Sequence, residues 1–276
     1  MEFIQQCDAI QWNNGKYHLI EENTVKDEYV YLFIDNLPIR KFSTYPKDLK
    51  DFALGYCLGE GLIKKYSDIN SIKIDDTDVL ISTKFNHCPH DDLEQDNIIQ
   101  KRKGDNEHIC ACRLLEYQAV NSDSAGGFRS HSDSIKPVYS NLKINATQII
   151  DDIKQLTDEA KVWQKTGGVH VAQLKYEDNI IIREDVSRHV AVDKVIGAAL
   201  REGYDFSKSY ISYSGRMPAD MLIKVIRVGI PIIISNAAPA SSGIDVAKKG
   251  NITMIGFVRD NRFTIYTSPE RVNLKK

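Results

Sequence analysis

From residue 209 to residue 267 the chain alternates short apolar runs with stretches whose apolar residues recur at helical spacing. The pattern predicts strands over 209–213, 230–235, 252–257 and 263–267, and helices over 218–228 and 240–249. Alternation of this kind defines an α/β sheet covered by helices on both faces. On such sheets ligands bind beyond the strand ends. Three strand ends carry suitable chemistry: Ser214-Gly215-Arg216, Ser235-Asn236-Ala237-Ala238-Pro239, and Phe257-Val258-Arg259-Asp260-Asn261-Arg262. The first reads as an anion cradle or as a plain serine cap and glycine turn. Arg259 and Arg262 flank a turn, where together they suit a pyrophosphate or carboxylate clamp and singly read as surface charges. No Walker loop and no G-x-G-x-x-G fingerprint is present.

Upstream, Ile180-Ile181-Ile182 leads into Arg183-Glu184-Asp185-Val186-Ser187-Arg188-His189, with Asp193-Lys194 close behind. This reads as a strand leaving the core, a charged junction, and a helix. The helix N-terminus offers free N–H groups and a positive dipole end, a seat for phosphate. The same charges equally suit a salt-bridged helix start capped by Asp185 or Ser187. Before it, a helix is predicted over 147–163. Gly167-Gly168 then turns into a strand bearing His170, followed by a hairpin turn at Glu177-Asp178-Asn179. Paired glycines let a backbone approach a ligand, with an imidazole beside it; the alternative is a strand start with a half-buried histidine.

The first part of the chain has a different texture. Strands are predicted at 29–34 and 39–42 across an Asp35-Asn36 turn. Pro46-Lys47-Asp48 starts a helix with Leu49, Phe52, Ala53, Tyr56 and Cys57 on its apolar face. Cys57 is therefore expected in the core. Gly59-Glu60-Gly61 ends the helix, and strands follow near 69–74 and 79–82. The organisation expected is an α+β subdomain over 1–85, a mobile cysteine-bearing loop over 86–137 where periodicity disappears, and an α/β domain over 138–276. With 276 residues, a net charge of −2 and 27% charged residues, a soluble protein with ample core is expected, and general nucleic-acid binding is not. No apolar run is long enough to cross a bilayer, and the N-terminus lacks secretory-signal character, so a cytoplasmic location is expected. Five unevenly spread cysteines do not suggest a disulfide framework.

Cys110 and Cys112 are the candidate nucleophiles. Lys101, Arg102, Lys103 and Arg113 lie near them in sequence, and positive neighbours favour the reactive thiolate. A thiolate on a mobile arm can accept sulfur at one site and deliver it at another. The competing reading is zinc, for which His87, Cys88, His90, His108, Cys110 and Cys112 supply soft ligands at irregular spacing. The zinc-deaminase signature H-x-E…P-C-x-x-C is absent.

Taken together, Gly167-Gly168-Val169-His170, Arg183-Glu184-Asp185-Val186, Arg188-His189 and 191–197 closely resemble the formate dehydrogenase accessory proteins of the FdhD/NarQ family. Ser214-Gly215-Arg216, Gly229-Ile230-Pro231, Ala238-Pro239, 255–259, Tyr266-Thr267 and Pro269-Glu270-Arg271 recur in the same order. Asp51-Phe52-Ala53-Leu54-Gly55-Tyr56 and Gly59-Glu60-Gly61-Leu62-Ile63 also match. The resemblance spans most of the chain outside the long loop and the extreme N-terminus. It departs at Cys110-Ala111-Cys112-Arg113, where the family usually has C-G-x-C-G, at Ser187, usually Gly, and at Val190, usually Asn.

The resemblance implies a cytidine-deaminase-like three-layer sheet and a homodimer. It implies a sulfurtransferase loaded by a cysteine desulfurase. Cys110 would carry the persulfide, with Cys112 as partner or substitute. The sulfur would pass to a molybdenum or tungsten bis-molybdopterin guanine dinucleotide cofactor before insertion into formate dehydrogenase. It maps the guanine-dinucleotide contact onto Phe257, Val258, Arg259, Asp260, Asn261 and Arg262. A pocket of His170, Arg188, His189, Ser214 and Arg216, with Arg259 and Arg262, is then expected to hold the cofactor's phosphates and guanine. A cofactor-binding chaperone without sulfur transfer and a zinc-binding protein are the alternatives.

Overall fold

The computed structural model describes residues 3–84 and 135–274. The chain opens with an antiparallel hairpin, β1 (Ile4–Asn13) and β2 (Lys16–Val25), not expected from the sequence. Asn14 and Gly15 between them both have positive φ, as a two-residue type I′ turn requires. Next come β3 (Glu28–Ile34), β4 (Leu37–Thr44), helix α1 (Leu49–Gly59), β5 (Ile69–Asp75) and β6 (Asp78–Thr83). The four strands form one sheet in the order β4-β3-β6-β5. Val30, Leu32 and Ile34 alternate inward along β3 and share a core with Phe52, Tyr56 and Cys57 of α1. Phe42 meets Phe52 and Tyr56 edge-on, with ring centroids 4.9 and 5.3 Å apart. Cys57 is fully buried as expected, and burial pushes its thiol up.

Beyond the undescribed middle segment lie the short β7 (Ile144–Asn145), α2 (Ala146–Asp158) and α3 (Lys161–Thr166). The single helix expected over 147–163 is thus two. The break at Glu159-Ala160 has a distant cause: the Glu184 carboxylate accepts from the backbone N–H groups of Val162 and Trp163 at 2.8–3.1 Å. An acidic side chain placed on free N–H groups starts a new helix there.

The main sheet is built from β8 (His170–Tyr176), β9 (Asn179–Asp185), β10 (Ser209–Tyr213), β11 (Ile232–Ser235), β12 (Thr253–Arg259) and β13 (Arg262–Thr267). Their order is β13-β12-β11-β10-β8-β9, with β10, β11 and β12 parallel and the other pairings antiparallel. Helices α4 (Arg188–Glu202), α5 (Ala219–Val228) and α6 (Ser241–Lys249) complete it, and β14 (Val272–Asn273) pairs with β7. Ile233 and Met254 share one core with α4, α5 and α1, while Ile232, Ile234 and Ile255 share another with Ile149, Ile153 and Leu156 of α2. The mixed α/β sheet is therefore covered on both faces, as the alternation predicts. No helix among the described residues is long and apolar enough to cross a membrane.

Helices α1 and α4 cross at backbone contact. A Cβ on Gly197 would lie 1.8 Å from the Asp51 carbonyl oxygen, and one on Gly55 would lie 1.8 Å from that of Asp193. The apolar core consequently runs without interruption from β3 through α1 and α4 to the main sheet. Gly197→Ala should force these helices apart and lower the unfolding free energy by about 3 kcal/mol. Urea denaturation measures this, and a loss below about 1 kcal/mol would contradict the close crossing.

Candidate functional site

The parallel strands β10, β11 and β12 end at one edge of the main sheet, and the antiparallel pair β8–β9 brings His170 and Asp185 to the same edge as register partners. His170, Ser214 and Asn236 therefore stand at the ends of neighbouring strands, with Phe257 on the adjoining β12, two residues before that strand ends. Ser214 extends the β8–β10 ladder by one residue: its backbone N–H donates to the Val171 carbonyl, and its Oγ accepts from the Val171 N–H, both at 3.0 Å. His170 Nδ1 lies 3.3 Å from the same Oγ, a contact in which Nδ1 accepts from the hydroxyl in one tautomer and donates to it in the other. Burial first, and the Arg188 charge second, lower the His170 pKa from its ordinary value. Both effects favour the neutral imidazole.

A cleft of about 410 Å³ opens at this edge, between the α2–α3 corner and the strand ends. Its walls include Leu156, Thr157, Ala160 and Trp163 on the helical side and Gly167 to Val171, Val186, Ser214 and Asn236 on the sheet side. Gly167 ends α3 in the left-handed region, at φ 63°, which lets the chain turn directly into β8. The glycines, His170 and Ser214 are site residues expected from the sequence, whereas Trp163, Thr157 and Asn236 are not among them. Asn236 sat in a flagged strand end. Trp163 carried no signal, because the fold of α3 against the sheet depends on the remote Glu184.

The charged junction divides residue by residue. Arg183 Nη2 lies 2.7 Å from Asp51 Oδ2, and its Nε lies 3.5 Å from an Asp48 carboxylate oxygen. Lys194 lies 2.7 Å from Asp185, both side chains being removed from solvent, and Lys224 pairs with Asp193. Asp185 also accepts from the Ser187 N–H at 2.8 Å. These residues hold the fold together, so the salt bridges of that reading are present; its side-chain cap is not, since Ser187 is the N-cap residue and makes no capping hydrogen bond through its side chain. Arg188 differs. It packs against Gly215, and its buried Nε has no hydrogen-bond partner among the described residues. His189 belongs elsewhere: it lies 3.2 Å from Asp220 and lines a separate small pocket with Glu60, Lys224 and Arg227. Burial lowers its pKa too. Arg216 is exposed, and its carbonyl accepts from the Tyr213 hydroxyl at 2.6 Å.

Beyond the same edge projects the β12–β13 turn. Arg259, Asp260, Asn261 and Arg262 are all exposed, and Arg259 and Arg262 face each other across the hairpin. Neither arginine makes an ion pair among the described residues. Val258 is buried in the apolar cluster shared with α2, so its side chain supports the turn from within. Phe257 is 38% exposed at a register shift, has φ 53°, and donates its N–H to the Ala237 carbonyl at 3.1 Å. A bulky residue in that region is an outlier. Cys110 and Cys112, with His87, Cys88, His90 and His108, lie outside the described residues.

The profile of the FdhD/NarQ family matches residues 25–273. A protein of Methanothermobacter thermautotrophicus named sulfur carrier protein FdhD is 41% identical over 272 residues, which cover 99% of this chain and 100% of that one. A protein of the same name from Shouchella clausii is 30% identical over 258 residues, 93% of this chain and 92% of its own. The crystal structure of a formate dehydrogenase accessory protein from Desulfotalea psychrophila shares the fold, with a TM-score of 0.74 at 21% identity over 98% of this chain and 100% of that one.

The geometry at His170 has a pH consequence. Its native pKa is below the ordinary 6.5, so between the two values the unfolded chain binds more protons than the native state. Stability then rises with pH across that window and is lost on acidification. An NMR titration of the His170 ring should give a midpoint below 6.5, and a midpoint above it would contradict the buried, Arg188-facing placement.

Proposed function

Because this chain belongs to the FdhD/NarQ family, we propose that it is a cytoplasmic sulfur carrier, a sulfurtransferase that serves formate dehydrogenase. A cysteine desulfurase loads sulfur as a persulfide on Cys110, with Cys112 as its partner. The sulfur passes to the bis-molybdopterin guanine dinucleotide cofactor of molybdenum, which is cargo here and not a resident group. The names of the relatives support the sulfur-carrier reading. We read the three-layer sheet as cytidine-deaminase-like.

One observation carries the cargo-binding half of this reading. Two exposed arginines face each other on a hairpin at the same sheet edge as the cleft of His170, Ser214 and Asn236. Like charges set directly across an antiparallel pair destabilise it. A dianionic or pyrophosphate group between them would turn that repulsion into charge-assisted hydrogen bonding. Arg188, with its unpartnered Nε behind Gly215, adds positive potential to the same edge. The neutral His170 and the Ser214 hydroxyl supply hydrogen-bonding groups that discriminate by shape without adding charge.

Sulfur loading itself exchanges one S–S bond for another. The thiolate of the carrier attacks the terminal sulfur of the donor persulfide, and the donor cysteine leaves as a thiolate. Intact-mass analysis after incubation with an active cysteine desulfurase and cysteine should show a gain of one sulfur that vanishes in Cys110→Ala. Loss only in Cys112→Ala would move the acceptor by two positions. No gain in any form would leave a cofactor-binding chaperone. Separately, Arg259→Ala and Arg262→Ala should each weaken GDP binding by about tenfold or more, the worth of one charged hydrogen bond. Unchanged calorimetric affinity would remove the hairpin from the site.

A further inference from the structure

The segment from Ser214 to Asp220 carries a cleft residue at one end and meets helix α4 along its length. At its start, Ser214 is fixed to β8 through the Val171 N–H. In its middle, Gly215 lies under the first residue of α4: a Cβ there would stand 3.0 Å from Arg188 Cβ and 3.1 Å from Arg188 Cδ. At its end, Asp220 belongs to the first turn of α5, and its Oδ2 lies 3.2 Å from Nε2 of His189, the second residue of α4. Arg188 and His189 thus hold consecutive places on α4 and reach two points of the same loop.

His189 and Asp220 do not themselves meet the cleft. Both side chains are largely buried. With Glu60 at the end of α1 and Lys224 and Arg227 of α5 they enclose a cavity of about 10 Å³, whose lining shares no residue with the cleft. Such a space holds one water at most, so no part of a cargo enters it. The neighbouring cations are committed elsewhere: Lys224 pairs with Asp193, and Arg227 Nη1 donates to the Gly59 carbonyl at 2.5 Å. Asp220 Oδ1 accepts from the Met221 N–H at 2.9 Å, so one carboxylate oxygen serves its own helix and the other faces His189. A carboxylate is favourable at the positive ends of two helix dipoles, here those of α4 and α5.

We propose that His189 and Asp220 are positioning residues: by clamping the first turn of α4 to the end of the 214–220 loop, they set Arg188 over Gly215 and Ser214 beside His170 in the places an anionic cargo needs. The inference rests on the reading of this edge as the cargo site. Its rival, an effect of charge alone, has the opposite sign. Asp220 is an anion behind Arg188 and subtracts from the positive potential there, so by charge alone its neutralisation would tighten anion binding. As half of a clamp, its neutralisation releases the loop and weakens binding.

Calorimetry of GDP binding to the full chain separates the two. Asp220→Asn and His189→Ala should each weaken binding about fivefold or more, within the range reached by groups that act through others. His189→Gln keeps an N–H donor within reach of Asp220 and should restore most of the loss. Asp220→Asn combined with His189→Ala should cost little more than either alone, because a clamp is lost only once. Glu60→Gln removes a carboxylate from the same cavity without touching the loop, and should not weaken binding. Asp220→Asn changes almost no volume, so it carries the test even where His189→Ala disturbs folding. Unchanged or tighter binding in Asp220→Asn overturns the inference and leaves the cargo reading standing. So does an equal loss in Glu60→Gln, which would assign the effect to the packing of the three helices. A wild type that does not bind GDP overturns the cargo reading and this inference with it.

Discussion

Lys194 lies 2.7 Å from Asp185, and neither side chain reaches solvent. The ammonium also donates to the carbonyls of Tyr45 and Glu184, and the carboxylate accepts from the N–H groups of Tyr45 and Ser187. Burial pushes the Asp185 carboxyl up and the Lys194 amine down, while their mutual attraction opposes both shifts. Removing one partner of such a pair leaves a buried charge uncompensated, at a cost of about 3–5 kcal/mol. The pair therefore acts as a register device. It joins the segment after β4, the end of β9 and the middle of α4 at one point, which fixes where the strand stops and where the helix begins.

The position of the candidate edge follows from that point. With β9 ending at Asp185, its partner His170 is held at the start of β8, and Ser214 continues the ladder beside it. Ser235 links the next two loops, donating to the Gly215 carbonyl at 2.7 Å and accepting from the Ala237 N–H at 3.0 Å. Arg183 ties the back of β9 to Asp51 of α1, whose backbone meets α4 at Gly55 and Gly197. The N-terminal sheet thus stiffens the main sheet from behind, and the loops that line the cleft inherit fixed positions.

Local pattern made some of this legible and remote partners hid the rest. The strands and helices after residue 209 have apolar periods that report their own burial, so their existence and order follow from sequence alone. The division of 183–194 does not, because it depends on Tyr45, Asp51 and Lys224, which lie far away in the chain. The break between α2 and α3 is hidden for the same reason: its cause is Glu184. The first hairpin is invisible as a strand pair because its alternation mixes polar and apolar residues with no core to serve, and most of it remains exposed. In the candidate site, residues with a local signature stood out, namely the glycines, His170, Ser214 and the arginine turn. Trp163 and Thr157 reach the cleft only through tertiary placement.

Two clusters of charge stand near this sheet edge, and their energetics separate them. In the junction, Arg183, Glu184, Asp185, Asp193 and Lys194 all have internal partners, and their charges are consumed in building the fold. In the β12–β13 hairpin, Arg259 and Arg262 face each other without an ion pair, next to a phenylalanine held at φ 53°. A strained backbone of that kind costs about 1–3 kcal/mol, and opposed like charges add to it. Neither feature stabilises the fold. An anion between the two guanidinium groups would offset their repulsion, whereas the denser junction has no unmet charge left to offer at Arg183 or Lys194. Density of charge in the sequence draws the eye to the junction, but it is at the hairpin that two arginines face each other without an ion pair among the described residues.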